Sequence, residues 1–61
     1  MFVDDWATFI RQERTVKGWS QEYMARFLGV STHTVWRWEK GLSVPALTRR
    51  VNYAKDLGDD T

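Results

Sequence analysis

The chain has no cysteine, one histidine and one proline in its 61 residues, and it contains no long apolar run. Without cysteine there is no disulfide and no thiolate metal site, and a single imidazole is too little for an ordinary transition-metal centre. No metal and no cofactor is therefore expected. A cysteine-free chain fits a reducing compartment, so a cytoplasmic location is expected. The opening stretch MFVDDW lacks a basic segment followed by an apolar one, so it is not read as a secretory signal. No stretch approaches the roughly 20 apolar residues of a membrane span, and no membrane partner is expected. The length allows one domain over 1–61, with one small core and a thin stability margin.

Acid is scarce in the middle of the chain. From Arg14 to Lys55 the bases are Arg14, Lys17, Arg26, Arg37, Lys40, Arg49, Arg50 and Lys55, and the acids are Glu22 and Glu39 alone. The net charge of +1 hides this, because Asp4, Asp5, Glu13, Asp56, Asp59 and Asp60 gather toward the two ends. A basic middle between acidic ends points to a surface for a polyanion, with a solvated basic face as the plainer reading of charge alone.

Apolar spacings of three and four run through the chain and no strand alternation appears. The expectation is an all-α, compact bundle of four short helices, over about 4–16, 21–28, 32–40 and 46–57. Asp4 or Asp5 should cap the first helix, which carries Trp6, Phe9 and Ile10 on one face and stops near Gly18. Ser20 should cap the second helix, with Met24, Ala25 and Leu28 facing in and Gly29 ending it at positive φ. Ser31 should cap the third, anchored by Val35 and Trp38 and closed by Gly41. Pro45 suits the first turn of the fourth, whose apolar face is Leu47, Val51, Ala54 and Leu57. Gly58 should stop that helix, leaving 59–61 as a frayed tail. Trp6, Trp19 and Trp38 fall at positions that suit a core, where large aromatics compensate for small size.

Two short helices joined through Ala25-x-x-x-Gly29, with Val30 just beyond, form a helix-turn-helix arrangement. The small Ala25 lets the helices cross closely, and Gly29 permits the sharp turn. The N-terminal part of the second of these helices then protrudes, and such a helix fits the roughly 12 Å major groove of B-DNA. Thr32, His33, Trp36 and Arg37 lie on its side away from Val35 and Trp38.

From Ile10 to Leu57 the chain resembles the Cro/repressor-type helix-turn-helix domains of phage and bacterial regulators. The resemblance rests on Ile10-Arg11 and Arg14, Gly18 to Glu22, Met24-Ala25, Leu28 to Ser31, Val35 to Gly41, Pro45 and Leu57-Gly58. It implies a transcriptional regulator, most simply a repressor, working in a bacterial cell or phage-infected host on a double-stranded, palindromic DNA operator. Thr32, His33 and Arg37 match base-reading positions, and Trp36 stands beside them. For Arg37 a phosphate contact stays open, and for His33 a solvated surface position. Gln21 matches a residue that grips a phosphate and braces the recognition helix, and Ser20 can join it while capping. Thr34 matches a contact to backbone or bases. Lys40 and Ser43 belong to a loop that meets phosphates through side chains and main-chain N–H groups. Arg14 and Glu39 match a buried structural salt bridge.

Two residues depart from the family pattern. Arg50 stands where a large apolar residue is usual, and can face solvent, DNA or an acidic partner. Trp36 stands where a small polar residue is common. It can press on thymine methyls or sugars, fill a gap in the protein, or contact a partner. Val44, Leu47, Arg50 or Tyr53 can make a small two-fold contact, so a weak homodimer formed on DNA is expected. No catalytic constellation is present: the single histidine has no evident partner, and no Gly-rich phosphate loop or ligand cluster occurs, so the chain is not read as an enzyme. The second reading is a helix-turn-helix scaffold acting as a protein-interaction adaptor or antirepressor, with Trp36 as its anchor.

Overall fold

The computed structural model describes residues 5–59. Its elements are α1 (Trp6–Lys17), α2 (Gln21–Leu28), α3 (Thr32–Glu39) and α4 (Leu47–Gly58), with no strand among the described residues. The Cα radius of gyration, 10.2 Å, is close to the about 10.5 Å that a compact chain of this length should have.

The turn between α2 and α3 follows from local chemistry. Ser20 Oγ accepts the Tyr23 N–H at 3.0 Å and so caps α2. Gly29 ends that helix at φ +76°, and the Val30 N–H reaches back to the Ala25 carbonyl at 2.9 Å. Ser31 then caps α3, its Oγ accepting the Thr34 N–H at 3.1 Å. Nothing lies within 4 Å of a Cβ added at Gly29, so Gly29→Ala should cost only left-handed strain, about 1–2 kcal/mol. Gly58 is the opposite case. It sits in the last turn of α4, also uncrowded, so Gly58→Ala should stabilise, by up to about 1 kcal/mol. Urea midpoints of the two variants should move in opposite directions.

The core comprises Trp6, Phe9 and Ile10 of α1, Met24 and Ala25 of α2, Val35 and Trp38 of α3, and Leu57 of α4. Trp6 is its hub. It lies 5.3 Å from Phe9, 5.5 Å edge-on to Trp38 and 6.2 Å from Tyr53, between ring centroids. α3 packs on both α1 and α2. Leu28 and Val30 are partly buried against this core, as is Trp19, which also gathers Tyr23 and Phe27 outside it at 4.7 and 5.0 Å. Lys17 ties α4 to α1, its ammonium donating to the Leu57 carbonyl at 3.0 Å and pairing with Glu13 at 3.8 Å. A cation on the last carbonyls of a helix is the favourable end for it.

Several expectations are corrected. α1 starts at Trp6, and Asp5 contributes its main-chain carbonyl to Phe9 rather than a side-chain cap; Asp4 lies outside the described residues. α3 ends at Glu39, one residue early, because Lys40 is its C-cap and Gly41 turns left-handed at φ +74°. Pro45 precedes the Ala46 N-cap instead of entering α4. Gly58 belongs to α4 and Asp59 caps it; residues 60 and 61 of the expected tail lie outside the described residues.

The apolar face expected for α4 is also rotated. Leu47 and Val51 are 58% and 51% exposed, whereas Leu57 is buried and Tyr53 and Ala54 pack on the core. At about 100° per residue, Arg50, Tyr53, Ala54 and Leu57 share one arc of the helix, and Leu47 and Val51 fall at its edge. The Tyr53 ring meets both Trp6 and Trp38, at 6.2 and 5.6 Å, and this aromatic contact sets the rotation. Half-buried Arg50 occupies this same arc.

Candidate nucleic-acid interface

Successive residues turn about 100° around a helix, which places Thr32, Trp36, His33 and Arg37 of α3, with Lys40 at its C-cap, in one arc of about 140°. All five are exposed. Val35, Trp38 and Glu39 occupy the opposite side and are buried. The outer stripe thus carries two full cations, an imidazole, an indole and a hydroxyl, and no carboxylate. The one acid of α3 is turned inward.

That acid, Glu39, is only 5% exposed and is surrounded by donors from two other helices. Arg14 grips it in a fork, Nε to Oε2 at 2.6 Å and Nη2 to Oε1 at 3.0 Å. Gln21 Nε2 donates to Oε1 at 3.2 Å. Arg11 Nε stands 4.0 Å from Oε1, and its Nη2 donates to the Glu39 main-chain carbonyl. Arg14 also donates to the Trp19 carbonyl at 3.2 Å, tying the loop before α2 into the same cluster. The cluster fixes the C-terminal end of α3 to α1 and α2, and so sets the angle at which the outer stripe is presented. Arg11 has this role without having been singled out in the sequence. The available signal is its i, i+3 spacing to Arg14, which puts both guanidinium groups on one face of α1 toward a single carboxylate.

Burial pushes the Glu39 carboxyl up, but the hydrogen bonds from Arg14 and Gln21, with the charges of Arg14 and Arg11, outweigh it and hold the group below the ordinary glutamate range. The folded chain therefore binds this proton more weakly than the unfolded chain. The stability that Glu39 contributes is complete above the ordinary carboxylate value, about 4.3, and is lost as pH falls through the lower folded value. Urea midpoints measured from pH 7 to pH 2 should fall on the acid side for the natural chain, and that part of the fall should vanish in Glu39→Gln.

The residues expected at phosphates come from the start of α2, the first turn of α3 and the segment just after it. Ser20 and Gln21 begin α2. The Gln21 amide is already bonded to Glu39, so its bracing role is visible, and it keeps a second N–H and its carbonyl oxygen. Thr34 is half-buried, and its hydroxyl bonds Ser31 Oγ at 2.8 Å, which leaves it less available than Thr32. Lys40 is exposed and Ser43 half-buried. Part of the main chain of this loop closes α3: the N–H groups of Lys40, Gly41 and Leu42 bond the carbonyls of Trp36, Trp38 and Arg37 at 3.0, 3.0 and 2.9 Å.

Among the described residues no group of three or more His, Cys, Asp or Glu is placed to hold a metal ion. No described helix is long and apolar enough to cross a membrane. Comparison with known proteins gives a match to the helix-turn-helix family model over residues 10–58. No curated protein and no solved structure matches the chain significantly. The matched span takes in α2, its left-handed turn, α3 and the Arg14–Glu39 lock. The family is one of double-stranded-DNA-binding domains, not of enzymes. The chain belongs to the Cro/C1-type helix-turn-helix family of DNA-binding transcription regulators.

Proposed function

We propose that this chain is a sequence-specific repressor that lays α3 in the major groove of a palindromic operator and blocks the site by occupying it. Thr32, His33, Trp36 and Arg37 read base edges. Ser20, Gln21, Thr34, Lys40 and Ser43 meet the phosphates on either side. The observation that carries this reading is the outer stripe of α3, where Arg37 and Lys40 stand exposed with no carboxylate to repel a polyanion. Phosphate contacts supply affinity and register, and base contacts supply discrimination.

Arg37 is the strongest reader, since a guanidinium can donate twice to guanine O6 and N7. Arg37→Ala should relax preference at one base pair by about 1–3 kcal/mol, while Gln21→Ala should weaken binding evenly across sequences. Mobility-shift titrations against a preferred duplex and its single-base variants check both. A specificity ratio left unchanged by Arg37→Ala would count against base reading.

A second copy is the proposed partner on DNA. Of the four residues expected at a two-fold contact, Val44 and Leu47 are 56% and 58% exposed, and Val51 joins them, whereas Tyr53 packs on Trp6 and Trp38. So small an apolar surface falls far short of the about 20–30 residues a side of a standard interface, so dimers should form on the operator and not free in solution.

A further inference from the structure

Trp36 is 39% exposed at the centre of the α3 stripe. It fills no gap in the core, whose aromatic rings are those of Trp6, Phe9 and Trp38 with Trp19 and Tyr53 against them. Its neighbours lie along its own helix. The His33 ring, one turn back, stacks on it with 5.6 Å between centroids and 15° between planes. The Lys40 ammonium, one turn on, is 6.0 Å from its centroid, within reach of a cation–π attraction. With neighbours on both sides along the helix axis, the part of the indole left facing outward is its edge. Both contacts favour this ring position before any partner arrives, which reduces the side-chain freedom lost on binding.

We propose that Trp36 is the subsite for a pyrimidine C5 methyl group in the major groove, carried by thymine or by 5-methylcytosine. The inference rests on the DNA-reading role of α3 and names what this residue reads. Most of the major-groove edge of a base pair is hydrogen-bond donors and acceptors, and the C5 methyl is its apolar feature. Trp36 is the large apolar side chain that α3 presents there. Charge complementarity commits the indole to DNA over a protein pocket: Arg37 and Lys40 share its stripe and no carboxylate does, and DNA offers base acceptors to the first and a phosphate to the second, where an apolar protein pocket would have to desolvate both. The apolar gain from burying one methyl corresponds to about fourfold in affinity.

The test takes a duplex selected by the natural chain from random DNA and replaces each thymine in turn by deoxyuridine, which removes the methyl and leaves O4 untouched. One position in each half-site should lose about fourfold with the natural chain. Trp36→Ala should bind the thymine and deoxyuridine duplexes equally, and Trp36→Phe should keep part of the difference. At the same position, 5-methylcytosine is compared with cytosine. A methyl preference there as well extends the subsite to methylated DNA, and a preference confined to thymine assigns it to the unmodified base. The proposal is overturned if no deoxyuridine substitution weakens the natural chain, or if every such effect persists in Trp36→Ala. Failure of the natural chain to select any duplex is a different result, and it removes the DNA reading itself.

Discussion

Glu39→Ala is expected to leave most of the chain unfolded at room temperature. The carboxylate holds Arg14 in a two-point grip, bonds Gln21 and attracts Arg11, so its removal strands the half-buried donors of Arg14 and Gln21, on two helices, at once. Breaking one side of a buried ion pair costs about 3–5 kcal/mol. A core of this size supplies about 3–5 kcal/mol in total, so the loss is comparable to the whole margin. Arg14→Ala should cost a comparable amount, because the carboxylate it leaves behind is buried and keeps only Gln21 and the more distant Arg11. Replacing both Arg14 and Glu39 by Met should cost less than the sum of the single changes, since no partner is then left unpaired. Helical circular dichroism against urea for the four chains checks this ordering. A loss below about 1 kcal/mol in Glu39→Ala would mean that the cluster does not fix α3.

Trp6→Ala is the other substitution with an effect of that size. Truncating a fully buried tryptophan costs about 3–5 kcal/mol, and here the ring contacts Phe9, Trp38 and Tyr53 together. The cavity would open between α1, the inner face of α3 and α4. Loss of far-ultraviolet ellipticity and of cooperative melting is the expected result. Trp6→Phe keeps much of the volume and should retain a cooperative transition with a lower midpoint. A cooperative melt in Trp6→Ala close to that of the natural chain would show that Trp38 and Tyr53 close the gap themselves.

These two residues mark what could be read from the sequence and what could not. Features fixed by a few neighbouring residues were legible: the Ser20 and Ser31 caps, the left-handed turn at Gly29, and Val35 and Trp38 on the buried side of α3. Arg14 with Glu39 was legible through the family resemblance. Arg11 was not, because part of its contact is to a main-chain carbonyl 28 residues away, and such an acceptor has no residue type. The rotation of α4 was not legible either. Its sequence satisfies a helical spacing for Leu47, Val51 and Ala54 and another for Tyr53, Ala54 and Leu57, and the choice is made by the Tyr53 ring against Trp6 and Trp38. The main-chain N–H groups expected at phosphates were likewise decided by geometry, since Gly41 and Leu42 use theirs to close α3.

One measurement bears most directly on α3 as a DNA-reading helix: selection of preferred duplexes from a random-sequence pool, followed by titration of the selected and scrambled duplexes across a range of salt. The account predicts a recurring half-site, repeated with inverted symmetry about one helical turn, about 34 Å, away. It also predicts affinity that falls steeply with salt, with a slope reduced by about one when Lys40 is replaced by Ala. A pool that shows no enrichment, together with no salt-dependent retention on any duplex, would contradict the account.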